Sequence, residues 1–307
     1  MMKIGVVHNP RSHANMGRDA EYWAPDDVIL VKPATREALE IDLRCFAARG
    51  VDLLVIDGGD GTIRDVLSLL PQTFGETPPL LALLPSGKTN VLAIDLGVPQ
   101  GWTLPEAIAA CAKRQEAVIK HRAPLEVSWD DGRPTMRGFV FGLGAFVRAT
   151  NMSKSVNRMG AFHGLSVGLT LAGATLGALF GGARDHWREG VPVELAIDGA
   201  PAPAGNRFLL MATTLKRMPL GIKPFGPPRE GLKTLDVDAQ PKRLLKALVT
   251  LLNGGDAPWL AKRGYRRGDA KSLRIQTCDA FVLDGEVYEA SGGMTVALGP
   301  TLRFLAA

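Results

Sequence analysis

The chain has 307 residues, of which 46% are hydrophobic and 22% are charged, and its formal net charge is +5. This composition is typical of a folded globular protein and excludes a long disordered or low-complexity chain. The length favours two domains, and the modest positive charge favours an anionic partner. Three cysteines without metal-ligand spacing indicate a reducing compartment, and we expect small, buried core positions for Cys45, Cys111 and Cys278.

The first part of the chain alternates short apolar runs with one-sided helical patterns, which predicts a parallel sheet covered by helices. The predicted strands are residues 4–7, 51–56 and 80–84. Helices are predicted after Thr35, which suits an N-cap, and around residues 63–70. A third begins at Thr103, which forms a capping box with Glu106.

From residue 124 onwards the pattern changes to strands joined by turn residues, which predicts a second, mainly antiparallel domain. The predicted strands are residues 125–129, 136–141, 193–197 and 208–212, with turns at Asp131-Gly132 and Asp198-Gly199. A helix over residues 242–252 ends at Asn253-Gly254, a pair typical of a helix C-terminus.

Residues 161–183 contain no formally charged side chain and are numerous enough to cross a bilayer. Glycines recur through this segment, which lowers its hydrophobicity and favours close helix contact. We therefore interpret the segment as a buried or lipid-facing helix of the second domain, in preference to a transmembrane span.

Two groups of basic residues stand out in the second half of the chain: Lys242, Arg243 and Lys246, then Lys262, Arg263, Arg266 and Arg267. A solvated face is the simplest interpretation of such groups, and a membrane-docking patch is the main alternative. Because Tyr265 is the one aromatic residue interleaved with them, we predict no nucleic-acid partner.

Glycines lie between a predicted strand and the helix after it, in the sequence Asp57-Gly58-Gly59-Asp60-Gly61-Thr62. Such glycines let the backbone approach a ligand closely, and the N–H groups at a helix N-terminus attract phosphate. An aspartate in this loop would repel phosphate unless a cation stood between them. Asp60 therefore implies a magnesium ion.

A second loop, Leu84-Pro85-Ser86-Gly87-Lys88-Thr89-Asn90, also follows a predicted strand. Its Gly-Lys-Thr triplet is similar to that of a P-loop, but the P-loop requires glycine where this chain has Ala82. We expect the second loop to face the first at the carboxyl edge of the sheet, where doubly wound sheets bind ligands.

Together these residues resemble the diacylglycerol kinase catalytic family, which includes sphingosine kinases and bacterial lipid kinases. The family's Gly-Gly-Asp-Gly-Thr matches residues 58–62, and its strand ending in Asn-Pro matches Asn9-Pro10. Its Leu-Pro-x-Gly-Thr-x-Asn-Asp loop corresponds to residues 84–91, and its late Asp-Gly-Glu corresponds to residues 284–286. The order and spacing of these motifs cover nearly the whole chain.

The resemblance implies a Rossmann-like, NAD kinase-like α/β nucleotide-binding domain over residues 1–123 and 299–307, and a β-sandwich lipid-substrate domain over residues 124–298. It implies ATP and Mg²⁺, a lipid substrate at a membrane surface, and phosphoryl transfer to a hydroxyl of a diacylglycerol-like lipid. The expected location is cytoplasmic and peripheral to the inner membrane face. The resemblance does not decide between a monomer and a homodimer. Because they carry no charge, residues 161–180 are a candidate wall for acyl chains.

The same resemblance implies the site residues. The catalytic residues would be Glu286 as general base, Asp284 and Asp60. ATP would be bound by Asn9, Thr35, Gly58, Gly59, Asp60, Gly61, Thr62, Gly87, Lys88 and Asn90, and the metal by Asp60 and Glu230. Without the resemblance, Asp284-Gly285 predicts an ordinary hairpin turn with Glu286 exposed to solvent.

Three departures from the family pattern leave alternatives open. Lys88 replaces a threonine, Val91 replaces an aspartate, and Glu230 stands where the family has a metal-holding aspartate. Lys88 is itself a candidate phosphate contact. One alternative is an NAD kinase-like enzyme with a soluble acceptor, although the Asn-Glu dipeptide of those enzymes does not occur in this sequence. The other is a non-catalytic lipid- or nucleotide-binding relative. The carboxylates of Asp60, Asp284 and Glu286 argue against it, because a binding protein does not need such a set.

Overall fold

The computed structural model describes residues 2–17, 28–113, 116–158 and 187–306, apart from the side chains of residues 154–158. The chain divides into two compact units. The first contains Met1–Pro124 and Pro300–Ala307, and the second contains Leu125–Gly299.

A six-stranded sheet forms the centre of the first unit. Its strands are β1 (Ile4–His8), β2 (Val28–Val31), β3 (Leu53–Gly58), β4 (Leu80–Pro85), β5 (Val118–Arg122) and β18 (Leu302–Ala306). They lie in the order β2-β1-β3-β4-β18-β5, and all the pairs are parallel except β18 with β5. The predicted α/β class of the first part is confirmed.

Four helices connect these strands: α1 (Arg36–Ala48), α2 (Asp60–Phe74), α3 (Val91–Leu96) and α4 (Leu104–Ala112). Thr35 caps α1, since its hydroxyl accepts a hydrogen bond from the N–H of Ala38. The predicted capping box at Thr103 and Glu106 is also present. Both helix starts could be predicted because a cap depends on residues only three positions apart.

Two antiparallel sheets form the second unit. The strands of one are β6 (Leu125–Trp129), β7 (Met136–Gly138), β9 (Glu194–Ile197), β10 (Ala200–Pro201), β14 (Ser272–Thr277) and β17 (Gly292–Leu298). Those of the other are β8 (Val140–Gly144), β11 (Arg207–Thr213), β12 (Leu232–Asp238), β13 (Tyr265–Ala270), β15 (Phe281–Leu283) and β16 (Glu286–Tyr288). The strand orders are β10-β9-β14-β17-β6-β7 and β13-β12-β11-β8-β15-β16.

The two antiparallel sheets share one hydrophobic core. Val127 and Ile275 from the first sheet and Phe141, Leu210 and Phe281 from the second belong to the same buried cluster. Alternating side chains from two facing sheets produce such a core in a β-sandwich. The predicted sandwich is therefore confirmed.

Helices α5 (Ala145–Arg158), α6 (Leu244–Leu252) and α7 (Pro258–Ala261) accompany the sandwich in the described part of the second unit. The predicted helix ending before Asn253-Gly254 is confirmed as α6. In the described part of the chain, no helix combines the length and apolar character that a bilayer crossing requires. The predicted apolar helix over residues 161–183 lies outside the described residues.

The prediction for the cysteines is wrong at two of the three positions. Cys45 and Cys278 are exposed, and Cys111 is half-buried. Cys45 lies on α1 between the buried residues Leu43 and Phe46, so helical geometry directs it to another face.

Candidate functional site

Two glycine-containing loops of the first unit, residues 57–62 and 84–90, contact each other through their backbones. They are called the two glycine loops. A Cβ atom on Gly87 would lie 2.6 Å from the Cα of Gly59, and a Cβ atom on Gly59 would lie 3.0 Å from the Cα of Gly87. Neither position leaves room for a side chain without a backbone shift. The expectation that the loops face each other at the carboxyl edge of the sheet is confirmed.

Hydrogen bonds to Asp57 join β1 to both loops. Its Oδ2 lies 2.6 Å from Nδ1 of His8, the residue opposite it in the register of β1 and β3. Its Oδ1 accepts hydrogen bonds from Asn15 Nδ2 at 3.0 Å and from Ser86 Oγ at 2.5 Å. Because both oxygens are engaged in this way, Asp57 positions the loops.

The carboxylate of Asp60 is directed at the first turn of α3. Oδ1 accepts a 2.8 Å hydrogen bond from the N–H of Val91. Burial raises the pKa of Asp60 to about 6, although hydrogen bonds from the amides of Val91, Leu92 and Asn90 act in the opposite direction. This arrangement satisfies amides that a helix N-terminus leaves without partners. It gives Asp60 a positioning role and does not favour direct contact with a metal ion.

The side chain of Asn90 closes its own loop. Its Oδ1 accepts a hydrogen bond from the N–H of Gly87, and its Nδ2 donates to the carbonyl of the same residue, both at 2.9 Å. Asn90 also adopts a left-handed conformation with a φ of 50°, which asparagine tolerates better than most residues. Lys88 is exposed in the same loop.

A cleft of about 270 Å³ lies beside these loops, at the ends of β1 and β2 and the starts of α1 and α2. Its lining consists of Val7, His8, Asn9, Pro10, Arg11, Lys32, Pro33, Ala34, Thr35, Arg36, Leu39, Thr62 and Asp65. Three of these side chains are cationic and one is anionic. Such an excess of positive charge suits a polyphosphate ligand.

Three of the predicted ATP-binding residues, Asn9, Thr35 and Thr62, line this cleft. Asn9 Nδ2 donates a 2.8 Å hydrogen bond to Thr62 Oγ1, which connects the end of β1 to the first turn of α2. The other predicted residues lie on the adjoining loops and not in the lining: Gly58, Gly59, Asp60, Gly61, Gly87, Lys88 and Asn90.

The charged residues of the cleft were not predicted from the sequence. Asp65 follows Thr62 by three positions on α2, so helical geometry places both on the same face, and this spacing was an available signal. Arg36 directly follows the N-cap residue of α1. Lys32 follows β2, a short strand whose run of residues 28–31 was not recognised.

Helix α2 begins at the glycine loop. Its N-cap is Gly59, which has no side chain that could accept a hydrogen bond from the first amides. The first amides of a helix are orphan donors, and they attract anions together with the helix dipole. This end of α2 therefore complements the positive charge of the cleft.

In the second unit, Asp284 and Gly285 form a tight turn between β15 and β16, and Glu286 directly follows it. Asp284 and Gly285 have φ values of 49° and 80°, as a two-residue hairpin requires, and the predicted turn is confirmed. The Oδ1 of Asp284 accepts 2.9 Å hydrogen bonds from the N–H groups of Phe139 and Val140. Glu286 is exposed at the start of β16.

The surroundings of Glu230 do not fit the metal site implied by the resemblance. Glu230 is largely exposed and forms an ion pair with Lys216. Beside it, Lys233 is 2% exposed and donates hydrogen bonds to the carbonyls of Arg229 and Gly231, at 3.1 and 2.8 Å. The ammonium group of Lys233 therefore occupies carbonyl oxygens that could otherwise have served as ligands of a metal ion. Among the described residues, no cluster of three or more His, Cys, Asp or Glu is placed to hold a metal ion.

Comparison with known proteins identifies what the first unit resembles. Residues 4–121, which carry both glycine loops and the cleft, match the model of the diacylglycerol kinase catalytic domain. The first unit is therefore similar to the catalytic domain of the diacylglycerol kinase family. The predicted resemblance is confirmed.

Similar proteins extend the match beyond the first unit. A Pseudomonas aeruginosa protein described as "Probable lipid kinase YegS-like" is 27% identical over 246 residues, which cover 79% of this chain and 72% of the relative. A Shigella flexneri protein described as "Probable lipid kinase YegS" is 41% identical over 51 residues, 17% of each chain.

Solved structures share the fold of this chain. The crystal structure of a diacylglycerol kinase from Bacillus anthracis aligns with a TM-score of 0.65 and 17% identity, covering 99% of this chain and 97% of the other. A second structure from that organism aligns with a TM-score of 0.70 and 18% identity, with the same coverage. Both units of the chain therefore have counterparts in these proteins.

Proposed function

We propose that this protein transfers the γ-phosphoryl group of ATP to a hydroxyl group of a diacylglycerol-like lipid. The observation that supports the proposal most directly is the cationic cleft beside the uncapped, glycine-rich start of α2, in a unit of a kinase family. Phosphoryl transfer depends mainly on positioning and charge neutralisation, which are the properties that this cleft combines.

The residues of the first unit would bind and orient ATP. Arg11, Lys32 and Arg36 supply positive charge for the phosphates, and the first amides of α2 supply backbone donors. The contact between Gly59 and Gly87 keeps side chains away from the place where the two loops meet. The contact therefore fixes the two loops against each other, because each backbone fills the space that a side chain on the other glycine would take.

Glu286 would act as general base. Its carboxylate accepts the proton of the lipid hydroxyl while the hydroxyl oxygen bonds to the γ-phosphorus and the bond to the β-γ bridging oxygen breaks, releasing ADP. Asp284 contributes by fixing the hairpin that carries Glu286, through its hydrogen bonds to Phe139 and Val140.

Magnesium, when bound with ATP, would supply neutralisation of the phosphate charge during transfer. Of the described cleft residues, Asp65 offers a carboxylate for this purpose. Because Mg²⁺ commonly uses one or two carboxylates together with phosphates and water, Asp65 suffices as a protein ligand. Neither Asp60 nor Glu230 is required in that role.

An assay with labelled ATP tests the proposal. The purified protein is offered diacylglycerol, a sphingoid base, phosphatidylglycerol and NAD in parallel, with a Glu286→Gln variant as the control for contaminating kinases. We expect label in diacylglycerol, and at least a hundredfold less label with the variant. Transfer to NAD alone would establish the NAD kinase-like alternative. ATP binding without transfer to any acceptor would establish the non-catalytic one.

A further inference from the structure

Helix α6 in the second unit is apolar on almost every side, yet it lies at the surface. Its sequence is LLKALVTLL, and its buried residues are Ala247 and Leu251. Leu245 is 43% exposed and Val249 is 62% exposed. These two residues are four positions apart, so they project from one face of the helix. A helix with apolar residues all round is normally enclosed by protein or lipid.

Basic side chains surround this exposed apolar pair. Lys242 and Arg243 precede the helix, Lys246 lies within it, and Lys262 follows α7, and all four are exposed. A cavity of about 590 Å³ opens beside them, lined by Asp238, Ala239, Gln240, Lys242, Trp259, Lys262, Arg263 and Gly264. Lys246 Nζ lies 5.5 Å from the centre of the Trp259 ring.

The other two arginines of the sequence cluster have structural roles. Arg266 forms ion pairs with Asp236 and Asp238, and Arg267 donates hydrogen bonds to the carbonyls of Leu251 and Gly255. The pairing of Asp238 with Arg266 also compensates the one acidic residue in the cavity lining. Positive charge therefore predominates on this face.

We infer that the surface around α6 docks on a bilayer of anionic phospholipids. This surface, the α6 face, consists of an apolar pair, a tryptophan and five basic residues: Leu245, Val249, Trp259, Lys242, Arg243, Lys246, Lys262 and Arg263. Basic side chains would contact lipid phosphates, Leu245 and Val249 would enter the acyl boundary, and Trp259 would lie at the headgroup level. The inference deepens the proposed function and rests on it for the expectation that the acceptor is a membrane lipid.

The combination of charge and apolar exposure favours this occupant over others. A nucleic acid would use the basic residues but gains nothing from solvent-exposed leucine and valine. A second copy of the chain would bring its own positive face and oppose association through like charges. An anionic bilayer complements the charge and also buries the apolar pair.

Vesicle co-sedimentation without nucleotide tests the inference. The vesicles contain either equal amounts of phosphatidylglycerol and phosphatidylcholine or phosphatidylcholine alone. We expect the protein to sediment with the anionic vesicles and to stay in solution with the neutral ones. Raising the salt concentration should release it, because salt screens the interaction of exposed charges.

Two sets of variants locate the surface. A triple Lys242→Gln, Lys246→Gln, Lys262→Gln variant and a double Leu245→Glu, Val249→Glu variant should each bind at least tenfold more weakly. Lys271→Gln and Ile41→Glu, at exposed positions elsewhere, serve as matched controls and should bind like the wild type. Thermal unfolding of every variant checks that it is folded, and a Trp259→Phe variant should lose the blue shift in fluorescence that vesicles induce.

The results separate this inference from the proposed function. If the wild type ignores anionic vesicles, or if both sets of variants bind like the wild type, the docking inference is wrong. Concentration-dependent dimerisation that the double variant abolishes would replace it with self-association. Transfer to a short-chain, water-soluble diacylglycerol without vesicle binding would preserve the proposed function alone, and binding without transfer would preserve the docking alone.

Discussion

The Oδ1 atom of Asp60 accepts a hydrogen bond from the backbone N–H of Val91, 2.8 Å away. Asp60 is the first residue of α2, directly after its N-cap Gly59, and Val91 is the first residue of α3. The carboxylate to which the sequence assigns a metal ion thus connects the two loops that meet at Gly59 and Gly87. The effect of the Asp60 carboxylate on the free energy of unfolding depends on whether it is protonated. That effect can therefore be measured by varying the pH.

We expect Asp60→Asn to change how stability depends on pH. Burial raises the pKa of Asp60 from 3.8 to about 6, so the folded state binds a proton here more tightly than the unfolded state. The stability contributed by this protonation is present below about pH 4 and is lost as the pH rises through about 6, by up to about 3 kcal/mol.

Urea unfolding of the wild type and of Asp60→Asn across this pH range measures the effect. The difference between their free energies of unfolding should shift in favour of the variant as the pH rises, and then level off. A difference that is constant across the range would contradict the raised pKa.

Gly87→Ala should destabilise the protein by about 1–3 kcal/mol and impair ATP-dependent transfer, because the new Cβ would lie 2.6 Å from the Cα of Gly59. Gly61→Ala is the matched control for stability. There the nearest atom would be 3.7 Å away and the residue is helical, so alanine should be tolerated or stabilising by up to about 1 kcal/mol. Thermal unfolding compares them, and equal midpoints would contradict the close backbone contact.

Asp284→Ala and Glu286→Gln should separate structure from chemistry. Asp284→Ala removes the carboxylate that accepts hydrogen bonds from the amides of Phe139 and Val140 and should cost about 1–3 kcal/mol of stability. Glu286→Gln alters an exposed residue, so it should change stability by less than about 0.5 kcal/mol while it lowers kcat by about 10²–10⁴-fold. Retention of kcat in Glu286→Gln would remove Glu286 from the proposed chemistry.

Lys32→Gln and Arg36→Gln should each raise the KM for ATP by about tenfold, because each removes a cation from the lining of the cleft. Arg44→Gln is the control. Arg44 lies on the same helix as Arg36 and forms an exposed pair with Glu40, so its loss should leave the KM unchanged. If all three variants behave alike, the cleft is not the nucleotide site.

Removal of divalent metal ions without nucleotide should leave the unfolding midpoint unchanged, because Lys233 already donates hydrogen bonds to the carbonyls of Arg229 and Gly231. Lys233→Met, by contrast, should destabilise the protein by about 1–3 kcal/mol, since it removes the donor to these half-buried acceptors. A midpoint that falls on adding a chelator and recovers with Mg²⁺ would show that the second unit does hold a metal ion.

Local features of the fold could be predicted from the sequence, whereas contacts between distant segments could not. The caps at Thr35 and Thr103 and the turn at Asp284-Gly285 depend on neighbouring residues, and all three are present. The run 136–141 is split at Phe139 into β7 and β8, where the carboxylate of Asp284 accepts the amide hydrogen bond. Gly138, at the end of β7, is the available signal in that run, since a Cβ there would lie 2.6 Å from Oδ2 of Asp284.

The candidate site shows the same division. The motif residues Asn9 and Thr62 do line the cleft, as the resemblance implies. The role of Asp60, however, depends on α3, which begins far along the sequence, and that of Glu230 depends on the neighbouring Lys216 and Lys233. Motif spacing identifies which side chains gather in a region, but their hydrogen-bond partners are decided by tertiary packing.

Strand β18 lies between β4 and β5 in the first sheet, although the whole second unit separates it from β5 in sequence. During synthesis on the ribosome, β4 and β5 emerge long before the strand that joins them. The first unit would therefore spend most of translation with open strand edges, which attract other chains. Completion of the first sheet is thus coupled to emergence of the last described strand, so premature termination within the second unit would leave this sheet incomplete.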